Sequence, residues 1–184
     1  MTDKKLSGKH VLMVIAPNQF RDEELVEPKK VLLDQGARVS IAACKLGEAK
    51  GMLGLSINPD LLVGAAKPES YDAVVVVGGM GSPTYLWEDE QLHALLQNRQ
   101  KANKVVAAIC LSGAVLARAG VLSGKRATVY ATDESMAALA SGGAKYVNEA
   151  VVSDGLVVTA NGPDAASDFG EAIVTAMVPV ASAV

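Results

Sequence analysis

Val105-Val106-Ala107-Ala108-Ile109-Cys110-Leu111-Ser112-Gly113-Ala114-Val115-Leu116-Ala117 is the stretch on which the reading of this chain turns. Five apolar residues over 105–109 read as a buried strand, and 111–120 reads as a helix that begins with no loop between. Cys110 occupies the joint. So sharp a strand-to-helix turn needs small neighbours, which Ala108, Ser112 and Gly113 supply. The pattern therefore has the mechanics of a nucleophile elbow, although its residues are not those of the serine hydrolases. A thiol placed there faces the unpaired amides of a helix's first turn, which favour the reactive thiolate. The competing reading is a cysteine that only packs, since free cysteines are among the most buried residues.

Outward from the elbow, strand and helix alternate. Towards the N-terminus, 10–16 is a short apolar run suited to a central strand and closed by the turn pair Pro17-Asn18. A helix is expected over 23–35, with apolar Leu25, Val26, Val31, Leu32 and Leu33, acids in its first turn and Gly36 at its end; Pro28 then belongs within about the first turn. A strand over 39–44 follows, and the Gly-rich segment 47–60, broken by Pro59, reads as a connection or small hairpin. The third main strand, 71–77, stops at Gly78-Gly79-Met80-Gly81-Ser82-Pro83, and a helix over 88–102 leads back to the elbow. Beyond it come a strand near 127–130, a helix over 133–140 ended by Gly142-Gly143, and strands 147–153 and 156–160 flanking the hairpin signal Asp154-Gly155. A helix over 163–177 closes the pattern, and the tail 179–184 reads as loose. The alternation predicts an α/β fold with a doubly wound, mostly parallel sheet.

Composition bounds the function. The chain has 184 residues, half of them hydrophobic, with 4% aromatics and a net charge of −3. It fits one domain spanning 1–184, with a core over about 10–177 built from Val, Leu, Ile and Ala, as parallel strands covered on both faces require. Weak acidity without a basic cluster argues against a nucleic-acid partner. No apolar run approaches the ~20 residues that cross a bilayer, and Met1-Thr2-Asp3-Lys4-Lys5 lacks the apolar segment of a signal peptide, so a cytoplasmic protein with no membrane partner is expected. Cys44 and Cys110, the two cysteines, make no disulfide framework and have no zinc-ligand spacing. Neither metal nor cofactor is expected.

In an open parallel sheet, ligands bind outside the carboxyl ends of the strands, where the strand order reverses. Three loops are thereby selected: 17–24, 78–83 and the one holding Cys110. They offer a thiol, carboxylates at Asp22, Glu23 and Glu24, and a Gly-Gly turn whose amides can stabilise an anion. A dinucleotide site is disfavoured, because no glycine follows the first strand and Gly79-Met80-Gly81 lacks a third. A phosphate-accepting receiver domain wants an aspartate where Gly78-Gly79 stands. A Ser or Cys triad wants a histidine at the nucleophile; His10 and His93, the only two, read as surface residues away from the site.

The segments Asn18-Gln19-Phe20-Arg21-Asp22-Glu23-Glu24-Leu25, Val76-Val77-Gly78-Gly79, Ala108-Ile109-Cys110 and 119–128, in this order and spacing, resemble the ThiJ/PfpI superfamily, closest to its PfpI intracellular protease branch. The resemblance spans about 10–177. It implies a flavodoxin-like sheet sandwich akin to class I glutamine amidotransferases, with Cys110 as nucleophile, Glu24 as its partner, the amides of Gly79 and Leu111 as oxyanion-hole donors, and Gly78 and Tyr130 at the pocket. It also implies a homodimer or a dimer-built higher oligomer. An ionised carboxylate beside a thiolate would raise both pKa values, so Glu24 is expected to be protonated and to donate to the sulfur.

Two departures bear on activity. The protease-like members place a histidine directly after the cysteine, where this chain has Leu111, and the acid that orients it would fall near Thr84. General-base help of that kind is worth ~10²–10⁴-fold, so peptide hydrolysis is not expected. The expected function is a cysteine-dependent, stress-protective enzyme acting on a small electrophile such as methylglyoxal, in the manner of a glyoxalase or deglycase. The alternatives are a peroxide-responsive cysteine sensor with chaperone-like output, or a peptidase, amidase or isonitrile hydratase-like hydrolase.

Overall fold

The computed structural model describes residues 4–179; of the tail expected to be loose, 180–184 lie outside them. Seven strands form the main sheet: β1 (His10–Val14), β2 (Arg38–Ala43), β3 (Leu61–Leu62), β4 (Ala73–Val76), β5 (Val105–Ile109), β6 (Val151–Asp154) and β7 (Val157–Ala160). Their spatial order is β6-β7-β5-β4-β1-β2-β3. All neighbours are parallel except β6 with β7, which form a hairpin through Gly155-Leu156. Every residue of β4, β5 and β7 is buried, which accounts for their Val- and Ala-rich runs, broken only by Thr159 and Ile109. The chain leaves β1 towards β2 and β3, then returns to lay β4 on the other side of β1. The strand order reverses between β1 and β4, as the doubly wound reading requires.

Five helices cover the sheet: α1 (Asp22–Asp34), α2 (Glu90–Lys101), α3 (Gly113–Arg118), α4 (Asp133–Ser141) and α5 (Ala166–Met177). α1 packs on α5, and α3 packs on α4. The contact between α1 and α5 is close because Gly170 has no side chain: a Cβ there would lie 2.9 Å from Pro28 Cα and 3.0 Å from Val31 Cβ. Asp89 caps α2 by accepting from the amides of Gln91 and Leu92, and Thr132 with Ser135 forms a reciprocal cap on α4.

Several sequence expectations change. Pro28 is not in the first turn of α1 but in the second, buried. The helix tolerates it because Pro28 is the seventh residue and interrupts one bond of the ladder, the one that would end on the Glu24 carbonyl. The Pro17-Asn18 turn is followed at once by a short strand, Asn18–Phe20, which pairs with the hairpin of Ala49–Gly51 and Ser56–Ile57; the hairpin reading of 47–60 holds. The edge strand β3 had no alternating pattern long enough to find. The strand near 127–130 shrinks to Arg126–Ala127, paired with Lys145–Tyr146 outside the main sheet. The closing helix begins with a 3-10 turn, Pro163–Ala165.

Candidate active site

Cys110 leaves β5 with a φ of 61°, a left-handed conformation that a side chain other than glycine's seldom adopts. The segment 111–120 does not continue as one helix. Cys110–Ser112 form a 3-10 turn and α3 begins at Gly113. The side chain is 7% exposed. Facing it is Glu24, wholly buried in the first turn of α1, and between the two backbones lies Gly78. A Cβ on Gly78 would collide with Glu24 Oε2 and stand 2.6 Å from both Cys110 Cβ and the Ile109 carbonyl oxygen. Only glycine lets thiol and carboxyl meet. Gly79, with φ 108°, passes directly under the backbone of Gln19 and Arg21, and the Arg21 amide donates to the Gly78 carbonyl at 3.0 Å. The loop after β1 is thus strapped across the loop after β4.

Burial and charge decide the protonation states. Burial raises Glu24 from 4.5 to about 7, against weaker opposing pulls from Cys110, the Gly78 amide and Arg21. Neither of its carboxyl oxygens reaches a protein partner with hydrogen-bonding geometry, so the nearby donors only moderate the burial effect. The thiol does not behave as a helix N-terminus alone would make it. Burial, and then charge on Glu24, push Cys110 up to about 12, while the amides of Leu111 and Gly79 pull the other way. The resemblance implies these two amides as oxyanion-hole donors, and both lie beside the sulfur. They do not offset the burial of the thiol and the neighbouring charge on Glu24.

The three candidate carboxylates separate. Glu24 alone faces the thiol. Asp22 accepts from the amides of Leu53 and Leu55 at 3.1 and 2.9 Å and fastens the 49–57 hairpin; Glu23 forms a two-point pair with Arg21 at 2.8 and 3.0 Å. Tyr130 is joined to the site through its backbone, its amide donating to the Cys110 carbonyl at 3.2 Å. Its side chain, half exposed, instead lines an open groove with Tyr146, Asn161 and Gly162. The pocket role expected of it does not fit that direction. The histidines lie apart from Cys110 but are not free surface groups: His10 meets Ser40 Oγ at 2.8 Å and Arg38 at 3.0 Å, and His93 Nε2 donates to the Trp87 carbonyl at 2.9 Å. Thr84 is exposed.

Sequence reasoning missed a set of polar contacts beneath the elbow. Ser112, fully buried, donates from Oγ to the Val77 carbonyl and shares a hydrogen bond with Ser82 Oγ, both at 2.7 Å. Trp87 Nε1 donates to the Leu111 carbonyl at 3.0 Å. The signal available was the position of Ser82 and Trp87 just after the Gly-rich turn, and no periodicity distinguishes such residues from a loop. Among the described residues, no group of three or more His, Cys, Asp or Glu side chains is placed to hold a metal ion.

A flavodoxin-like sheet carrying a cysteine on a strained turn after a central strand, with a buried glutamate and two amides around the sulfur, defines the class of cysteine-elbow α/β proteins. The DJ-1/PfpI family pattern matches residues 9–176, and the chain belongs to that family. An uncharacterised protein of Methanocaldococcus jannaschii is 45% identical over 174 residues, covering 95% of this chain and 85% of the relative. A deglycase of Pyrococcus abyssi is 31% identical, covering 83% and 90%. Among solved structures, a ThiJ/PfpI domain protein from Brachyspira murdochii superposes with a TM-score of 0.86 at 36% identity, over 92% of this chain and 98% of that one.

Proposed function

We propose that this protein is a cysteine-dependent enzyme that converts small reactive aldehydes, methylglyoxal being the model substrate. The observation that carries the reading is the buried Glu24 facing Cys110 across Gly78, with its pKa raised to about 7 so that it exchanges a proton near neutrality. A 7% exposed sulfur favours a small, unhindered electrophile over a folded chain or long peptide. The deglycase name of the Pyrococcus abyssi relative points the same way.

The steps balance without an external redox partner. In the reactive tautomer the proton is on Glu24 and the charge on sulfur. Cys110 Sγ bonds to the aldehyde carbon, the carbonyl π pair moves to oxygen, and Glu24 delivers its proton there, giving a hemithioacetal. The Gly79 and Leu111 amides stabilise the developing oxyanion. Glu24, now a carboxylate, takes the proton from the former aldehyde carbon and returns it to the neighbouring carbon, while the hydroxyl proton passes to the former ketone oxygen, leaving the thioester of a 2-hydroxy acid. Water cleaves the carbon–sulfur bond, releasing a 2-hydroxy acid and restoring the thiol. No histidine is required, in keeping with Leu111 after the cysteine.

Methylglyoxal consumption by wild type, Cys110→Ser and Glu24→Gln tests this. Cys110→Ser should lose at least about 1000-fold in rate, and Glu24→Gln about 100-fold. Wild type that consumes no aldehyde but gains two oxygens on Cys110 at low peroxide would replace the enzyme with a sensor. We also infer a homodimer: on α1, Val26 and Leu33 are 45% and 44% exposed beside Leu55 and Ile57 of the 49–57 hairpin, an apolar patch bordered by Lys29, Lys30 and Asp34 and suited to a second copy. Light scattering that finds only monomer at micromolar concentration would refute it.

A further inference from the structure

Cys110 holds a strained backbone, and a strained residue persists only where its surroundings over-determine it. What does so here is the segment after the Gly-rich turn. Ser82 opens a single helical turn, Ser82–Tyr85, and its Oγ meets Ser112 Oγ, which in turn donates to the Val77 carbonyl. Five residues on, the indole of Trp87 donates to the Leu111 carbonyl at 3.0 Å. Leu111 is therefore gripped by its carbonyl, while its amide faces the sulfur.

Trp87 is itself held on several sides. Its amide donates to the Ser82 carbonyl at 3.1 Å, its carbonyl accepts from His93 Nε2 at 2.9 Å, and the Arg118 guanidinium lies 5.0 Å over its ring while pairing with Glu88. Only 6% of it is exposed. An indole N–H has one hydrogen-bond donor and no acceptor role, so this side chain, anchored at its backbone and on its outer ring face, directs one donor at one carbonyl of the elbow.

We infer that Trp87 is a positioning residue for the reactive cysteine: its indole N–H, with the Ser82–Ser112 hydroxyl pair, fixes the Leu111 peptide groups so that the Leu111 amide is aimed at Cys110 Sγ. The inference rests on Cys110 being the reactive thiol of the proposed enzyme, but its test does not use turnover.

Trp87→Phe keeps an aromatic ring under Arg118 and removes the donor together with part of the indole's bulk. Alkylation of Cys110 by iodoacetamide, followed from pH 5 to 10 by peptide mapping with Cys44 as internal reference, should slow about tenfold at its neutral-pH plateau, with the midpoint of the profile displaced and the Cys44 rate unchanged. A merely structural role would leave that profile in place or slow both cysteines through unfolding. An unaltered Cys110 profile in folded Trp87→Phe would overturn the inference. Should that variant fail to fold, the wild-type protein supplies a second measurement, since Trp87 is its only tryptophan. Alkylating Cys110 should shift or quench its emission, with no change when Cys110→Ser is treated identically; a silent emission on complete alkylation would overturn the coupling. Wild type whose Cys110 does not alkylate at all would refute the reactive thiol itself, an outcome distinct from failure of the clamp.

Discussion

Cys44 and Cys110 are the same residue at the same kind of place. Each follows the last residue of a parallel strand of one sheet, Ala43 of β2 and Ile109 of β5, and burial raises the pKa of each. Their surroundings differ. Cys44 is half-buried at the end of the sheet's outer half, with Asp89 and Lys45 as its charged neighbours and Lys45 turned towards the Tyr85 ring at 5.4 Å. Cys110 stands beside the point where the strand order reverses, on a left-handed residue, against a buried carboxyl and two inward amides. A strand end therefore supplies a thiol with a location, and the reversal of the sheet supplies it with chemistry. Only there do two neighbouring loops part widely enough for α1 to send Glu24 between them.

The largest expected effect that would break the contrast concerns stability. In the folded state Glu24 titrates at about 7, against 4.5 for its ordinary value. Between those values the native protein binds more protons than the unfolded chain, so stability falls as pH rises from about 4.5 and the loss is complete above 7. The size is roughly 3 kcal/mol, from about 1.4 kcal/mol per pKa unit. Urea unfolding at pH 4 and pH 8 should show Glu24→Gln losing that much less stability over the interval than wild type, with Cys44→Ser following wild type. Parallel wild-type and Glu24→Gln curves would mean that the carboxyl is not buried as described.

A smaller effect separates the thiols directly. As a coupled pair, Cys110 and Glu24 lose a first proton near pH 7, and the remaining one is divided between sulfur and carboxyl in a fixed ratio. Alkylation of Cys110 should rise through pH 7 and then flatten, whereas Cys44, an uncoupled thiol, should climb steadily into the alkaline range. Above about pH 8 the Cys110 rate should therefore stay flat while that of Cys44 keeps rising, measured by peptide mapping; parallel profiles would erase the distinction between the two strand ends. The smallest effect belongs to Tyr130. With its side chain turned towards Gly162, Tyr130→Phe should alter kcat/KM for methylglyoxal by less than about threefold, and a larger loss would return its hydroxyl to the pocket.

The fold was legible wherever burial was two-sided. Val74-Val75-Val76 and Val105-Val106-Ala107 carry no polar residue, and strands of that kind announce both themselves and the helices that must cover them. Cys110, the Gly78-Gly79 turn and the acids 22–24 were legible as a group, because the loops holding them follow adjacent parallel strands; Glu24 was singled out among those acids only by the family resemblance. The short pieces were not. Leu61–Leu62 has too few residues for a period, and Pro28 resembles a helix-start proline unless the beginning of the helix is known. Thiol acidity was misjudged for a related reason: the sequence displays a turn of free amides, while the apolar enclosure that opposes them comes from segments distant along the chain. Trp87 escaped notice since its partner is a backbone carbonyl, which leaves no trace in residue identity.

The two edges of the main sheet carry a further consequence. One ends in β3, two residues long, and the other in β6, four residues long, where Asp154 accepts from the Arg126 amide at 2.9 Å. Neither edge presents a row of free backbone groups long enough to template an added strand. The sheet is thereby closed to lateral growth, and a crowded solution of this protein has little means of stacking copies into a continuous ribbon. Contact between molecules is left to side-chain surfaces, where a single charged substitution is enough to tune it.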